Sequence, residues 1–308
     1  MKICITGGAG FIGSSIADKY IELGHEVVVI DNLSLGFKSN IPKEAKFYEM
    51  DINDKNIIDV FQEEKFDVVT HFAAQMSVRH SVASPSNDAL TNIMGGINIF
   101  DSASKSGVKK IIFASSAGTV YGEQNEFPCT ETHQNLPVSP YGVSKFAEEK
   151  YLQYYHTVFG LNYTIFRYTN VYGPRQNPFG EAGVIAIFAL KMLKNEDTYL
   201  TGFGKITRDY VFIEDVVAAN VLALSPEITG IFNIATAIET DLDYIYDSLA
   251  KLTHYNKEKV YIAEKIGEQK RSVCSSAKFQ KLTGWQPKTF LPEGLPKTVE
   301  FYKSLVQK

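Results

Sequence analysis

The sequence predicts an α/β fold, a doubly wound parallel sheet joined to a smaller C-terminal part. Three observations predict it. Short β-branched runs alternate with helical patterns through the first half of the chain, a glycine-rich turn stands where the first strand meets the first helix, and beyond Pro174 the alternation loosens into loops and short elements.

Taken in order, KICIT reads as a strand and FIGSSIADKYIELG as a helix with Ile12, Ile16, Tyr20 and Leu23 on its apolar face. EVVVIDN and AKFYEMDI are strands, NDKNIIDVFQEEK a helix and DVVTHFAA a strand. DALTNIMGGINIFDSASKSG is a helix closed by Gly107, and KKIIFASS a strand. A helix then begins at SPYGVSKFAEEKYL, followed by the strand NYTIFRYTNVYG. After the loop GPRQNPFGEAG come the helix GVIAIFALKMLKN and the stretch DYVFIEDVVAANVLAL, after which GIFNIA brings the chain back to the sheet. This divides the chain into a main α/β part over 1–170, with 209–235 returning to it, and a smaller part formed mainly by 171–308. The two parts share a cleft.

With 308 residues and 44% hydrophobic content the chain has ordinary globular composition. Its net charge of −4, with Lys and Arg scattered, argues against nucleic acid as a partner. The three cysteines, Cys4, Cys129 and Cys274, lack a CxxC and suit neither a disulfide framework nor a zinc site, so no metal is expected. The start MKICITGG is too short for a signal segment and no apolar run reaches membrane length, so the expected setting is cytoplasmic and away from membranes.

The turn TGGAGFIG places Gly7, Gly10 and Gly13 between a strand and a helix opening at Phe11 and Ile12. Absent side chains let backbone approach a pyrophosphate, which the helix N-terminus attracts with free N–H groups and its dipole. This is a Rossmann-type dinucleotide turn. Asp31, followed by Asn32, lies at the end of the second strand, about twenty residues beyond the glycines, where an acid bonds the ribose 2′-OH and repels a 2′-phosphate. The cofactor expected is NAD, not NADP. Four residues apart on one helix face, Tyr141 and Lys145 bring a phenol near an ammonium.

Gly-x-x-Gly-x-x-Gly together with YGVSK resembles the extended short-chain dehydrogenase/reductase family, and further similarities span most of the chain. The resemblance implies adenine contacts from Asp51 and Ile52 in MDIND. It also implies a strand end under the cofactor from Phe72, Ala73 and Ala74, and a middle-helix asparagine in Asn92. HFAAQMSVRHSV and RYTNVYGPRQNP look most like the UDP-sugar 4-epimerases of that family. Tyr141 is then the expected base, its ionised form favoured by Lys145 and by a positive nicotinamide, and Lys145 also holds the nicotinamide ribose. Ser116, at the end of IIFASS beside Ser115, is expected to bridge substrate and base.

For the substrate, the resemblance implies a diphosphate arginine in Arg208, a diphosphate or sugar contact in Asn170 and an edge of the nicotinamide pocket in Tyr168. Where relatives carry Arg and then Gly-Asp, this chain has Lys265 and Gly267-Glu268, so Arg271 is a further diphosphate candidate. Thr201 stands where an aromatic often flanks uracil, with Tyr199 two residues earlier. Thirteen positions before Trp285, Ser272 occupies the gate beside sugar C2, and its small size leaves room for an N-acetyl group. UDP-GlcNAc and UDP-GalNAc are therefore expected substrates alongside UDP-glucose and UDP-galactose. Ala117 and Gly118, where dehydratases and decarboxylases need acids, disfavour those reactions. A UDP-glucuronate 4-epimerase, with Arg79 or His80 meeting the carboxylate, and a non-catalytic nucleotide-sugar or RNA-binding relative remain as alternatives. A homodimer is expected through helices at 88–105 and 141–159.

Overall fold

The computed structural model describes residues 1–179, 183–263 and 269–307. Its centre is a seven-stranded sheet of β1 Lys2–Thr6, β2 Glu26–Asp31, β3 Lys46–Glu49, β4 Val68–His71, β5 Lys110–Ser116, β6 Asn162–Tyr168 and β7 Gly230–Ile234. The spatial order is β3-β2-β1-β4-β5-β6-β7, and every pair is parallel. Because both faces are covered, the strands are near-continuous apolar runs. Alternate residues enter opposite cores: Ile3, Ile5, Val27, Val29 and Ile112 face one side, and Cys4, Val28, Ile30, Ile111 and Phe113 the other.

The first core is roofed by helices Phe11–Glu22 and Ile213–Leu222, tied where Tyr20 Oη donates to Asn220 O at 3.2 Å. Helices Ile57–Glu64, Gly95–Lys105 and Pro140–Phe159 cover the second, contributing Ile57, Phe61, Ile99, Phe100 and Leu152. Strand order reverses between β1 and β4, so a crevice opens at their carboxyl ends. That crevice positions the site.

Two elements differ from the sequence reading. The helix expected from Asp88 to Lys105 is built from Pro85–Ala89, a π-helical turn Leu90–Met94 and Gly95–Lys105. The strand expected across 162–173 breaks at Thr169. Thr169 N still donates to Ile234 O of β7 at 3.2 Å, whereas Asn170 N turns to Asp209 O at 2.9 Å. Asn170–Tyr172 thereby pairs with Tyr210–Phe212 outside the main sheet. The exchange of partner breaks the strand.

Toward the C-terminus, helices Val184–Leu193, Leu242–Thr253 and Leu291–Val306 pack on one another. Beside them Thr207–Arg208 lies between Thr240–Asp241 and Arg271–Ser272 in a small sheet. Among the described residues no helix is long and apolar enough to cross a membrane.

Candidate active site

The glycine turn shows why its side chains are missing. Gly7 has φ +73°, and a Cβ there would stand 2.6 Å from Ala73 N, so β1 reaches the end of β4 only through glycine. At Gly13 a Cβ would meet Gly7 O at 2.4 Å, which would push the helix off the turn. Gly10 caps the helix without a side-chain hydrogen bond, leaving the first-turn amides at Phe11, Ile12 and Gly13 for an anion. Asp31 closes the turn from β2: Oδ2 accepts from Ala9 N at 2.9 Å and Oδ1 from Leu33 N at 2.8 Å. Each oxygen retains a lone pair for a ribose hydroxyl. These residues fit NAD. The absence of a basic group in that pair of contacts also suits a 2′-hydroxyl.

At the residues expected to meet the adenine, Asn32 Nδ2 donates to Asp51 Oδ2 at 2.7 Å and Asn53 N to Asp51 Oδ1 at 2.8 Å. Burial raises the Asp51 carboxyl, but these bonds outweigh it and hold it below its ordinary range. Ile52 is buried and its carbonyl accepts from Asn98 Nδ2 at 2.7 Å. Phe72, Ala73 and Ala74 leave β4 half-buried, with Phe72 stacked on Tyr168 at 6.3 Å between centroids. Asn92 is fully buried in the π turn and clamps the following loop, accepting from Gln75 N at 2.8 Å and donating to Gln75 O at 3.0 Å. It shapes the loop that follows β4. Tyr168 is a core residue, its hydroxyl accepting from Asn220 Nδ2 at 2.8 Å.

The Pro140–Phe159 helix is capped by Ser139, whose hydroxyl accepts from Gly142 N at 3.2 Å, with Pro140 in the first turn and Gly160 at φ +72° closing it. Gly142 lets it approach the Ala117–Val120 turn, since a Cβ would stand 2.7 Å from Thr119 O. That contact brings Tyr141 toward the end of β5. Strand alternation separates the two serines there: Ser115 Oγ donates to Glu149 Oε1 at 2.5 Å, and Ser116 points to the other face.

Lys145 is buried, its Nζ 3.1 Å from Glu148 Oε2 and 4.7 Å from the centroid of the Phe113 ring. Burial, then the charges of Glu148 and Asp88, push the Tyr141 phenol above its ordinary value. The expected ionisation joins the charge of Lys145 to that of a positive nicotinamide.

Arg208 donates to Thr207 O and Gln269 O, each at 2.8 Å. Arg271 Nε and Nη2 donate to Glu239 at 2.7 Å, and the guanidinium lies 3.6 Å from the centroid of Phe127. Asn170 Nδ2 donates to Asp209 O at 3.3 Å, and Tyr199 is exposed in its short strand. Lys265 and Glu268 lie outside the described residues. Ser272 is fully buried, with Gln124 Nε2 donating to its hydroxyl at 3.4 Å. Among the described residues no group of three or more His, Cys, Asp or Glu could hold a metal ion.

The sequence reading passed over Asp88, Glu148 and Glu149, all fully buried. Asp88 accepts from Gln75 Nε2 at 2.7 Å and Ser144 Oγ at 2.6 Å, tying the loop after β4 to the Tyr141 helix. Glu149 meets Arg167 of β6 through two bonds, at 2.9 and 2.6 Å. Their signal was spacing: Glu148 and Glu149 stand three and four residues after Lys145, on its own helix face.

A strand order reversing at a glycine turn, an acid on β2 and a Tyr-x-x-x-Lys helix beside β5 define a dinucleotide-dependent enzyme of the extended short-chain dehydrogenase/reductase class. The NAD dependent epimerase/dehydratase family matches residues 3–235, and the chain belongs to it. It is an enzyme of the isomerase class that uses NAD. A UDP-glucose 4-epimerase of Mycolicibacterium smegmatis is 38% identical over 313 aligned positions, covering 100% of both chains. The crystal structure of a Thermotoga maritima UDP-glucose 4-epimerase with UDP-glucose is 44% identical, with TM-score 0.96 over 99% of this chain and 100% of that one. A UDP-N-acetylglucosamine 4-epimerase of Methanobrevibacter ruminantium, solved with UDP-N-acetylmuramic acid, is 32% identical, with TM-score 0.92 over 99% and 98% of the two chains.

Proposed function

We propose that the protein inverts C4 of UDP-hexoses, with Tyr141 as the base on the 4-hydroxyl. The observation that carries this is the Tyr141–Lys145 helix packed through Gly142 against the end of β5, beside a turn fitted to NAD. Bound NAD supplies the acceptor, and later the donor, of hydride at C4. Tyr141 takes the 4-OH proton and returns it, with Ser116 as the bridging hydroxyl. Lys145 orients the ribose, and Arg208 and Asn170 face the diphosphate side. Between the two transfers the 4-keto sugar turns about its bond to the diphosphate, so the opposite face is presented on return.

The same proposal assigns 1–170 with 209–235 to the cofactor, and mainly 171–308 to the UDP-sugar. A cytosolic setting is part of it, supported by three free, buried cysteines. So is a homodimer: Tyr151, Tyr154 and Val158 form one exposed apolar face of the Pro140–Phe159 helix, with Leu90 and Met94 exposed on the π-helical turn that packs against it.

N-acetylated sugars are included because Ser272 is small. Its hydroxyl already faces Gln124, so its contribution is the volume it omits and not a bond to the amide. UDP-GlcNAc and UDP-galactose supplied separately, with products resolved by chromatography, test this. Wild-type protein should convert both, and Ser272→Tyr should lose only the N-acetylated substrate. Equal losses on both substrates, or wild-type protein inert toward UDP-GlcNAc, would remove the gate.

A further inference from the structure

Asp209, between Arg208 and Tyr210, is a fully buried carboxylate on which three distant segments converge. Its Oδ1 accepts from Thr236 N at 2.9 Å and Thr236 Oγ1 at 2.7 Å, in the turn that follows β7. Its Oδ2 accepts from Ala237 N at 3.0 Å and from Cys274 N at 3.3 Å, just beyond the strand Arg271–Ser272. Its backbone carbonyl accepts from Asn170 N at 2.9 Å and Asn170 Nδ2 at 3.3 Å, where the chain leaves β6. Ala237 holds φ +60°, a left-handed conformation that aims successive amides at one anion. Burial pushes the carboxyl up to about 6 and the four donors pull it back, so at neutral pH it is ionised and only accepts.

We propose, on the reading of Arg208 and Asn170 as diphosphate contacts, that Asp209 is a positioning residue for the UDP-sugar: its carboxylate and carbonyl fix Arg208, Asn170 and the Ser272 strand relative to one another at the ends of β6 and β7. Arg208 precedes Asp209 in the chain and pairs with Ser272 on one side and Thr240 on the other, so a shift of Asp209 moves the guanidinium and Ser272 together. The NAD turn stands apart from this hub, on β1 and β2, with β4 and β5 between them and β6. Contacts to a diphosphate are remote from C4 and are made as well in the bound substrate as in the transition state, so their loss raises KM and spares kcat. Asparagine at 209 has the size of the aspartate but the wrong pattern of donors and acceptors. Its NH2 would face either the two Thr236 donors or Ala237 N and Cys274 N, and that pair would lose its acceptor.

The test is a kinetic comparison on UDP-galactose, with dinucleotide released on denaturation as the control for the cofactor side. Asp209→Asn should raise KM by about tenfold or more, while kcat stays within about twofold of wild type and bound NAD is unchanged. Thr236→Val, which keeps the backbone donor and removes only the hydroxyl, should raise KM by about two- to fivefold. In an Arg208→Ala background, Asp209→Asn should raise KM less than it does in wild-type protein, because the two act through one contact. A KM within about twofold of wild type in Asp209→Asn, a fall in kcat without a rise in KM, or full additivity with Arg208→Ala would overturn the proposal. Where Asp209→Asn does not fold, Thr236→Val decides, and an unchanged KM there overturns the proposal. Wild-type protein inert toward UDP-galactose sinks the epimerase reading instead, and the calorimetric Kd for UDP on the same proteins, with the same expected ratios, then decides this one.

Discussion

Replacing Glu149 with alanine strands a buried arginine. Arg167 and Glu149 are both almost fully buried, and the carboxylate accepts from Nε at 2.9 Å, Nη2 at 2.6 Å and Ser115 Oγ at 2.5 Å. These bonds pin the helix that carries Tyr141 and Lys145 to β5 and β6. Formation of such a pair gains little over an apolar packing of the same volume, but breaking one side leaves an uncompensated charge and costs about 3–5 kcal/mol. In a chain of 308 residues each kcal/mol lowers Tm by roughly 1.5 °C, so Glu149→Ala should melt roughly 4–8 °C below wild type. Denaturant titration at constant m checks the free energy, and the double variant Glu149→Leu/Arg167→Met should regain most of the loss. A loss under about 1 kcal/mol in Glu149→Ala, or a double variant no better than the single, would refute the reasoning.

Gly13→Ala should fold yet carry no NAD, because its Cβ would fall 2.4 Å from Gly7 O; dinucleotide released on denaturation measures this against wild type. Glu64 joins Lys2 at 2.5 Å, Tyr48 at 2.5 Å and Lys46, and although burial opposes it, these partners lower its pKa to about 2. The folded value lies below the unfolded one of about 4.3, so its stabilisation is complete above that pH and lost as pH falls through about 2. Relative to Glu64→Gln, wild-type protein should lose roughly 1–3 kcal/mol on acidification over that window, read by denaturant titration at each pH. Tyr154→Arg, on the exposed apolar helix face, should convert a dimer to monomers by light scattering, and a wild-type protein monomeric at micromolar concentration would contradict the interface.

The sheet was legible because strands buried on both faces are near-continuous apolar runs and glycines punctuate them, as Ile3–Ile5 and Gly7 show. The cofactor turn was legible for a related reason: a Cβ at Gly7 or Gly13 collides with backbone, and only glycine answers that. Thr169 was misread as strand interior because its change of partner, from β7 to the segment at Asp209, is a tertiary event without a local signal. Glu148 and Glu149 were hidden more deeply. On a helix, an acid beside lysines reads as a solvated face, and only the packed β4 and β6 turn these two inward, toward His71 and Arg167.

The central claim is that hydride leaves C4 and returns to it through a dinucleotide that stays in place. UDP-galactose bearing deuterium at C4, given to the purified protein in ordinary water with no dinucleotide added, tests it in one measurement. UDP-glucose retaining the deuterium at C4 is the expected product, read by mass spectrometry and proton NMR, because Tyr141 exchanges only the hydroxyl proton with solvent. UDP-glucose carrying solvent hydrogen at C4, or substrate returned unchanged, would contradict the account.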